Sequence, residues 1–227
     1  MSTESRRPYD SRARRAQADR NRSTILHSAR QRFLADGYSV TTIAAIADDA
    51  QLSIDTIYKT FGGKGGLVRA IYEESLLGSG PTAAPLRSDE LQNSEVDAHR
   101  IVRGWGTLTA EVAPLVAPIH RLVRDAAAAD PEMAALLRDS DSSRRARMRH
   151  NAQTLAEKGQ LRFGITVAEA TDVMWAFSAP ELFDLLVLRS GWSPDRFGRY
   201  VADSLESALL DESHSTPSGS GIPPGGR

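Results

Sequence analysis

From Asp19 onward the apolar residues fall at helical spacing, with Ile25, Ala29 and Phe33 every four positions and Leu26 and Leu34 flanking the same stripe. Gly37 follows, a residue that takes the left-handed backbone of a helix C-cap without a steric penalty. Thr41 or Thr42 then offers an N-cap hydroxyl to a short helix through Ile43, Ile46, Ala47 and Ala50. A tight turn at Gln51-Leu52 leads to a second N-cap, Ser53, and a short helix from there through Ile57 to Phe61. Gly62-Gly63 ends it, and Leu67, Ala70 and Ile71 predict a fourth helix from Lys64 to Leu77. Gly78 to Ser88, with Pro81 and Pro85, reads as a flexible connector. Long helical patterns follow, punctuated by Pro114, Pro118, Pro131, Gly159, Gly164, Pro180, Gly191 and Pro194. Residues 1–18 and 212–227 lack periodicity and are expected to be a disordered basic arm and a disordered tail.

Two short helices joined by so tight a turn must cross closely, and Ala47 is small enough for the crossing. Ile46, Ala50, Leu52 and Ile57 then share one small core, a helix-turn-helix pattern. The opposite face of the second helix is left free for a DNA major groove about 12 Å wide. Charge sharpens this reading. The 227 residues carry 28 Lys and Arg against 29 Asp and Glu, yet residues 1–72 hold 12 bases and 7 acids, a net of +5. Residues 73–227 hold 16 bases and 22 acids, a net of −6, so a basic head sits on an acidic body and a polyanion partner is expected for the head.

Other classes fall away. Aromatics are only 6% and Ala, Leu, Arg and Glu dominate, which disfavours an all-β fold. With no cysteine there is no disulfide framework, thiolate zinc site or iron–sulfur cluster. The five histidines have no closely spaced partner, so no metal site and no cofactor are expected. Gly62-Gly63-Lys64-Gly65 lacks the upstream glycine, the following Ser or Thr and the strand of a phosphate loop. No Gly-x-Ser-x-Gly elbow is present, no catalytic residues are expected, and the chain reads as a non-enzyme. No apolar run approaches the about 18 residues that span a bilayer, so no membrane partner and a cytoplasmic location are expected.

The segment Ile25 to Ile71 resembles the N-terminal DNA-binding domain of the TetR family of bacterial transcriptional regulators. The resemblance rests on the Gly37-Tyr38 corner, Thr41-Thr42-Ile43, Ile46-Ala47, and Ser53-x-x-Thr56-x-Tyr58-x-x-Phe61-x-x-Lys64-x-x-Leu67. The stretch from Trp175 to Leu210 is similar to the end of one common branch of that family. One departure stands out: the family usually has glycine in the turn where this chain has Gln51, and a left-handed backbone there would strain Gln51 by roughly 1 kcal/mol.

By matching positions, the resemblance assigns phosphate contacts to Thr42, Tyr58 and Lys64, which set register without reading sequence. Ser53 caps the reading helix, and Asp55, Thr56 and Lys59 are the candidate base readers. Arg12, Arg14 and Arg15 of the arm are expected to follow the DNA backbone or enter a minor groove. One reading helix touches few bases, so a homodimer on a palindromic operator is expected, paired through Met174, Phe177, Leu182, Leu185, Phe197, Val201 and Leu205. Trp105, His120, Met148, Phe163 and Trp175 are the candidate lining of a pocket for a small apolar or aromatic effector.

The expected architecture is all-α, with about nine helices. A three-helix helix-turn-helix domain over residues 19–63 precedes a larger helical effector-binding and dimerisation domain over 64–211. The expected function is a DNA-binding repressor released by its effector. The alternatives are an architectural or ligand-independent DNA-binding protein, or a helical small-molecule-binding protein without DNA binding.

Overall fold

A computed structural model describes residues 11–211; the first ten residues of the expected arm, and the expected tail over 212–227, lie outside them. Among the described residues every regular element is helical, as the sequence pattern predicts. The first four helices are α1 (Ser11–Asp36), α2 (Ile43–Ala50), α3 (Ile54–Phe61) and α4 (Lys64–Ser75). They are followed by α5 (Ala84–Ser94), α6 (Ala98–Ala126), α7 (Pro131–Glu157) and α8 (Val167–Phe177). Then α9 (Pro180–Phe183) runs straight into π-helical turns over Asp184–Arg189, and α10 (Pro194–Leu209) closes the fold.

Local signals explain most boundaries. Thr42 Oγ1 accepts from Ala45 N at 3.1 Å to cap α2, and Ser53 Oγ accepts from Thr56 N at 3.2 Å to cap α3. Pro180 separates α8 from α9, since proline cannot continue the hydrogen-bond ladder of a preceding helix.

Three boundaries differ from expectation. α1 begins at Ser11, not at Asp19, because Arg12–Ala18 is rich in Arg, Ala and Gln and extends a helix already nucleated by the buried Ile25–Phe33 stripe. The connector expected over 78–88 is helical from Ala84, with Pro85 in the first turn of α5, where a missing N–H is harmless. α6 runs through Pro114 and Pro118 without breaking. Packing on neighbouring helices outweighs the two lost ladder bonds.

Two cores result. One joins α1–α4 to Ile119, Val123 and Ala126 of α6 and to Met133 and Leu136 of α7. The other gathers Ile101, Val102 and Trp105 of α6, Ala152 and Leu155 of α7, Met174 of α8, and Phe197, Val201 and Leu205 of α10. The long helices α6 and α7 therefore belong to both. Where α6 meets α10 the backbones touch, and a Cβ on Gly106 would lie 2.5 Å from the Gly198 carbonyl oxygen, so only glycine allows this approach.

Candidate nucleic-acid interface and internal cavity

The helix α3 is held from beneath. Ile57 is fully buried, and Phe61 packs half-buried with the Arg22 guanidinium 4.9 Å from its ring centroid. The face turned outward carries Ile54, Asp55, Tyr58 and Lys59, all exposed, with Tyr58 at 52%. Thr56 is half-buried and its hydroxyl lies 2.8 Å from Ser53 Oγ, so its methyl is what remains for a base. Asp55 sits in the first turn, where a carboxylate is favoured by the helix dipole. Ile54, 44% exposed, is an apolar group on the reading face that periodicity assigned to no role. Spacing alone does not reveal this, since Ile57 and Phe61 follow Ile54 at i+3 and i+7 on the buried stripe.

Gln51 has φ +54 and is the one non-glycine residue with positive φ among the described residues. The turn therefore takes the left-handed geometry that glycine adopts without strain. Gln51→Gly is expected to stabilise the protein by about 1 kcal/mol and raise Tm by about 2–4 °C, measured by thermal unfolding. An unchanged or lower Tm would mean that the turn is not strained.

Around α3 the candidate phosphate contacts divide. Thr42 is exposed beside its cap. Lys64 is half-buried, its Nζ 4.4 Å from the Tyr38 ring centroid and 3.4 Å from the Ser39 carbonyl oxygen, and burial pushes its pKa down. Lys64 thus braces the corner between α1 and α2. The glycines around it serve packing: a Cβ on Gly66 would fall 1.7 Å from the Phe61 carbonyl oxygen. Arg12, Arg14 and Arg15 are exposed on the first two turns of α1, so this part of the arm is helix and not loose chain.

The head is bolted to the body by two polar joints that sequence reasoning missed. Arg30 of α1 donates through Nη1 to Ser75 Oγ at 2.8 Å and through Nη2 to the Leu115 carbonyl oxygen at 2.9 Å. Tyr38 donates to Asp130 Oδ2 at 2.9 Å, and Asp130 also caps α7 by accepting from Glu132 N and Met133 N. Burial and that carboxylate push the Tyr38 phenol up, while the α7 amides lead in holding Asp130 below the usual carboxylate range. Both joints link residues far apart in sequence, which explains why no local pattern announced them.

Inside the body lies a cavity of about 400 Å³, within the usual size of small-molecule sites. Its walls come from α4 through α8, the start of α9, and α10. Leu108, Val112, Val116, Met148, Met174, Phe197 and Val201 give it an apolar lining. Trp105 and Met148 line it as expected. Three other candidates do not. Phe163 is 97% exposed on the loop before α8, because Gly159 and Gly164 turn that loop outward. Trp175 lies beneath Arg144 and Arg145, 5.0 and 5.1 Å from its ring centroid, off the cavity wall. His120 is buried next to Asp141 at 3.5 Å, and its burial pushes its pKa down, which keeps it neutral.

The expected pairing surface also needs correction. Met174, Phe197, Val201 and Leu205 are buried within the chain itself and form cavity wall. Phe177 and Leu182 are half-buried against the second core. Leu185 is exposed at 51%, and Leu188 beside it at 50%, because the π-helical turns rotate them away from α10. Tyr200 of α10 is also partly exposed, its ring edge-on against Phe177 at 6.2 Å and Trp192 at 5.5 Å.

Among the described residues there is no cluster of His, Asp or Glu able to hold a metal, and no helix is long and apolar enough to cross a membrane.

Residues 25–71 match the model of the bacterial regulatory proteins of the tetR family. Several solved structures share the fold along nearly the whole chain. The SmeT–triclosan complex superposes with a TM-score of 0.67 at 18% identity, covering 91% of this chain and 100% of that one. NalD of Pseudomonas aeruginosa, the secondary repressor of the MexAB-OprM multidrug efflux pump, gives 0.66 at 16% identity over 86% and 99%. A transcriptional regulator from Saccharomonospora viridis in complex with choline gives 0.64 at 19% identity over 85% and 99%. Among curated proteins no sequence matches the chain. The fold shared with these structures is a helix-turn-helix head on a larger helical body.

Proposed function

Because residues 25–71 belong to the bacterial regulatory proteins of the tetR family, we propose that this chain is a homodimeric repressor that leaves a palindromic operator when a small apolar molecule fills its cavity. The observation that carries the reading is the outward face of α3, where Asp55, Tyr58 and Lys59 stand clear while Ile57 beneath them is fully buried. A helix so anchored offers three or four side chains to base edges and phosphates without moving its own core. In this reading residues 19–63 are the head and 64–211 the body. Thr42, Tyr58 and Lys64 position the head on phosphates, Ser53 caps the reading helix, and Asp55, Thr56 and Lys59 read bases. Arg12, Arg14 and Arg15 follow the backbone.

Release follows from shared walls. The cavity is lined by Arg69 and Tyr72 of α4 and by Val116 of α6, and the Arg30 joint ties α1 to those same two helices. A ligand that prefers one spacing of these helices shifts the tilt of the head, and by linkage lowers DNA affinity by the factor that DNA lowers ligand affinity. Triclosan and choline complexes of the similar solved structures support small-molecule occupancy of this architecture. The test is selection of bound duplexes from random DNA by the full-length protein. A pseudo-palindrome with half-sites about 10 base pairs apart, or a multiple of that, is expected. Failure of any sequence to enrich at low salt would overturn the reading.

A further inference from the structure

The polar groups on the cavity wall restrict what can enter it. Each guanidinium there already has a counter-charge. Arg69 pairs with Asp139 at 3.4 Å, and Arg147 pairs with Asp89. Arg144 reaches Asp141 at 3.3 Å, the Trp175 carbonyl oxygen at 2.7 Å and Ser178 Oγ at 3.1 Å. Of the wall carboxylates, Asp139 is the partner of Arg69 and Glu73 is exposed on α4. An anion entering the apolar interior would leave water and find every wall guanidinium already paired, and a cation would find only Glu73, which stands in solvent, so either pays a large penalty.

The uncharged polar groups have a definite sense. Gln92, buried behind the wall, lies between the Ser88 carbonyl oxygen at 3.2 Å and Asn151 Oδ1 at 3.1 Å. A carbonyl oxygen can only accept, so the group facing it must be the Gln92 amide nitrogen. That nitrogen in turn requires the oxygen of Asn151 on its side. The wall residue Asn151 therefore spends its oxygen on Gln92 and keeps its NH2 as a donor. Trp105, also on the wall, has an Nε1–H that is buried with no hydrogen-bond partner. Both of these wall groups are donors, whereas the buried acceptor without a partner, Gln92 Oε1, belongs to a residue that does not line the cavity.

We infer that the cavity binds an uncharged, largely apolar molecule bearing a neutral acceptor such as a ketone oxygen, which takes a hydrogen bond from the Asn151 carboxamide. The inference deepens the repressor reading by naming the effector's chemical class. It rests on that reading for its regulatory meaning and not for its test.

Four compounds with one body and different ends provide the test: 2-acetylnaphthalene, 2-ethylnaphthalene, 2-naphthoate and 2-naphthylmethylammonium. Binding to the full-length protein without DNA is measured by calorimetry, and release is measured separately on a selected duplex. The ketone is expected to bind at least about tenfold more tightly than either ion, since a site with buried donors favours the ligand that satisfies them. Asn151→Leu should weaken the ketone about tenfold and leave the hydrocarbon unchanged. Trp105→Phe tests the second donor where Asn151→Leu disturbs folding. Tighter binding of either ion, no binding by the ketone, or equal effects of Asn151→Leu on ketone and hydrocarbon would overturn the inference. Failure to enrich any duplex would sink the repressor reading alone, because the titrations contain no DNA.

Discussion

Leu185→Asp combined with Leu188→Asp is expected to yield a folded monomer that binds the selected duplex at least about a thousandfold more weakly. Both side chains are half exposed on the π-helical turns after α9, and neither supports the intramolecular core, so the fold should survive their replacement. Exposed leucines gain stability by being covered, and two aspartates facing their own images across a twofold axis repel one another. A lone head keeps contacts to one half-site. The affinity then falls from the roughly 10⁻⁸–10⁻¹¹ M of specific complexes toward the roughly 10⁻⁴–10⁻⁶ M of non-specific binding. Sedimentation gives the mass, far-ultraviolet circular dichroism the fold, and fluorescence anisotropy the affinity. A dimer that persists with both aspartates in place would move the pairing surface elsewhere.

The second large effect is expected at α3, where two neighbouring substitutions should fail in different ways. Lys59→Ala removes a cation that can donate to guanine O6 and N7, and a good base contact of that kind is worth about 1–3 kcal/mol of discrimination. Affinity for the best duplex should fall about 5- to 150-fold, with much less loss for a duplex changed at the base pair that Lys59 reads. The slope of log K against log salt should become shallower, since one charge has left the interface. Tyr58→Ala removes a neutral group that the proposed reading sets against phosphate. It should weaken every duplex alike and leave the salt slope unchanged. Ile57 is untouched in both variants, so unfolding should not contribute. Uniform loss across duplexes with Lys59→Ala would reassign it to the phosphates.

The head was legible in the sequence because its signals are local. Ser53 caps α3 and Thr42 caps α2 through hydrogen bonds that close within three residues. The strained φ of Gln51 follows from a turn too tight for any other geometry. The same locality explains the misplaced start of α1 and the missed start of α5. Residues with good helix propensity but no apolar stripe show no periodicity, yet they extend or form helices where a neighbour supports them.

The body was legible only as helices. The chain by itself determined where turns cap and break, which residues are good helix formers, and that a basic head precedes an acidic body, because each of these depends on neighbours a few positions away. The tertiary structure alone decided that Met174, Phe197, Val201 and Leu205 face a cavity while Leu185 and Leu188 face outward. It alone brought Arg30 to Leu115, Tyr38 to Asp130 and Gln92 to Asn151. A helix with apolar residues on more than one side does not say which side its neighbours will cover. That choice is made when segments distant in sequence pack together.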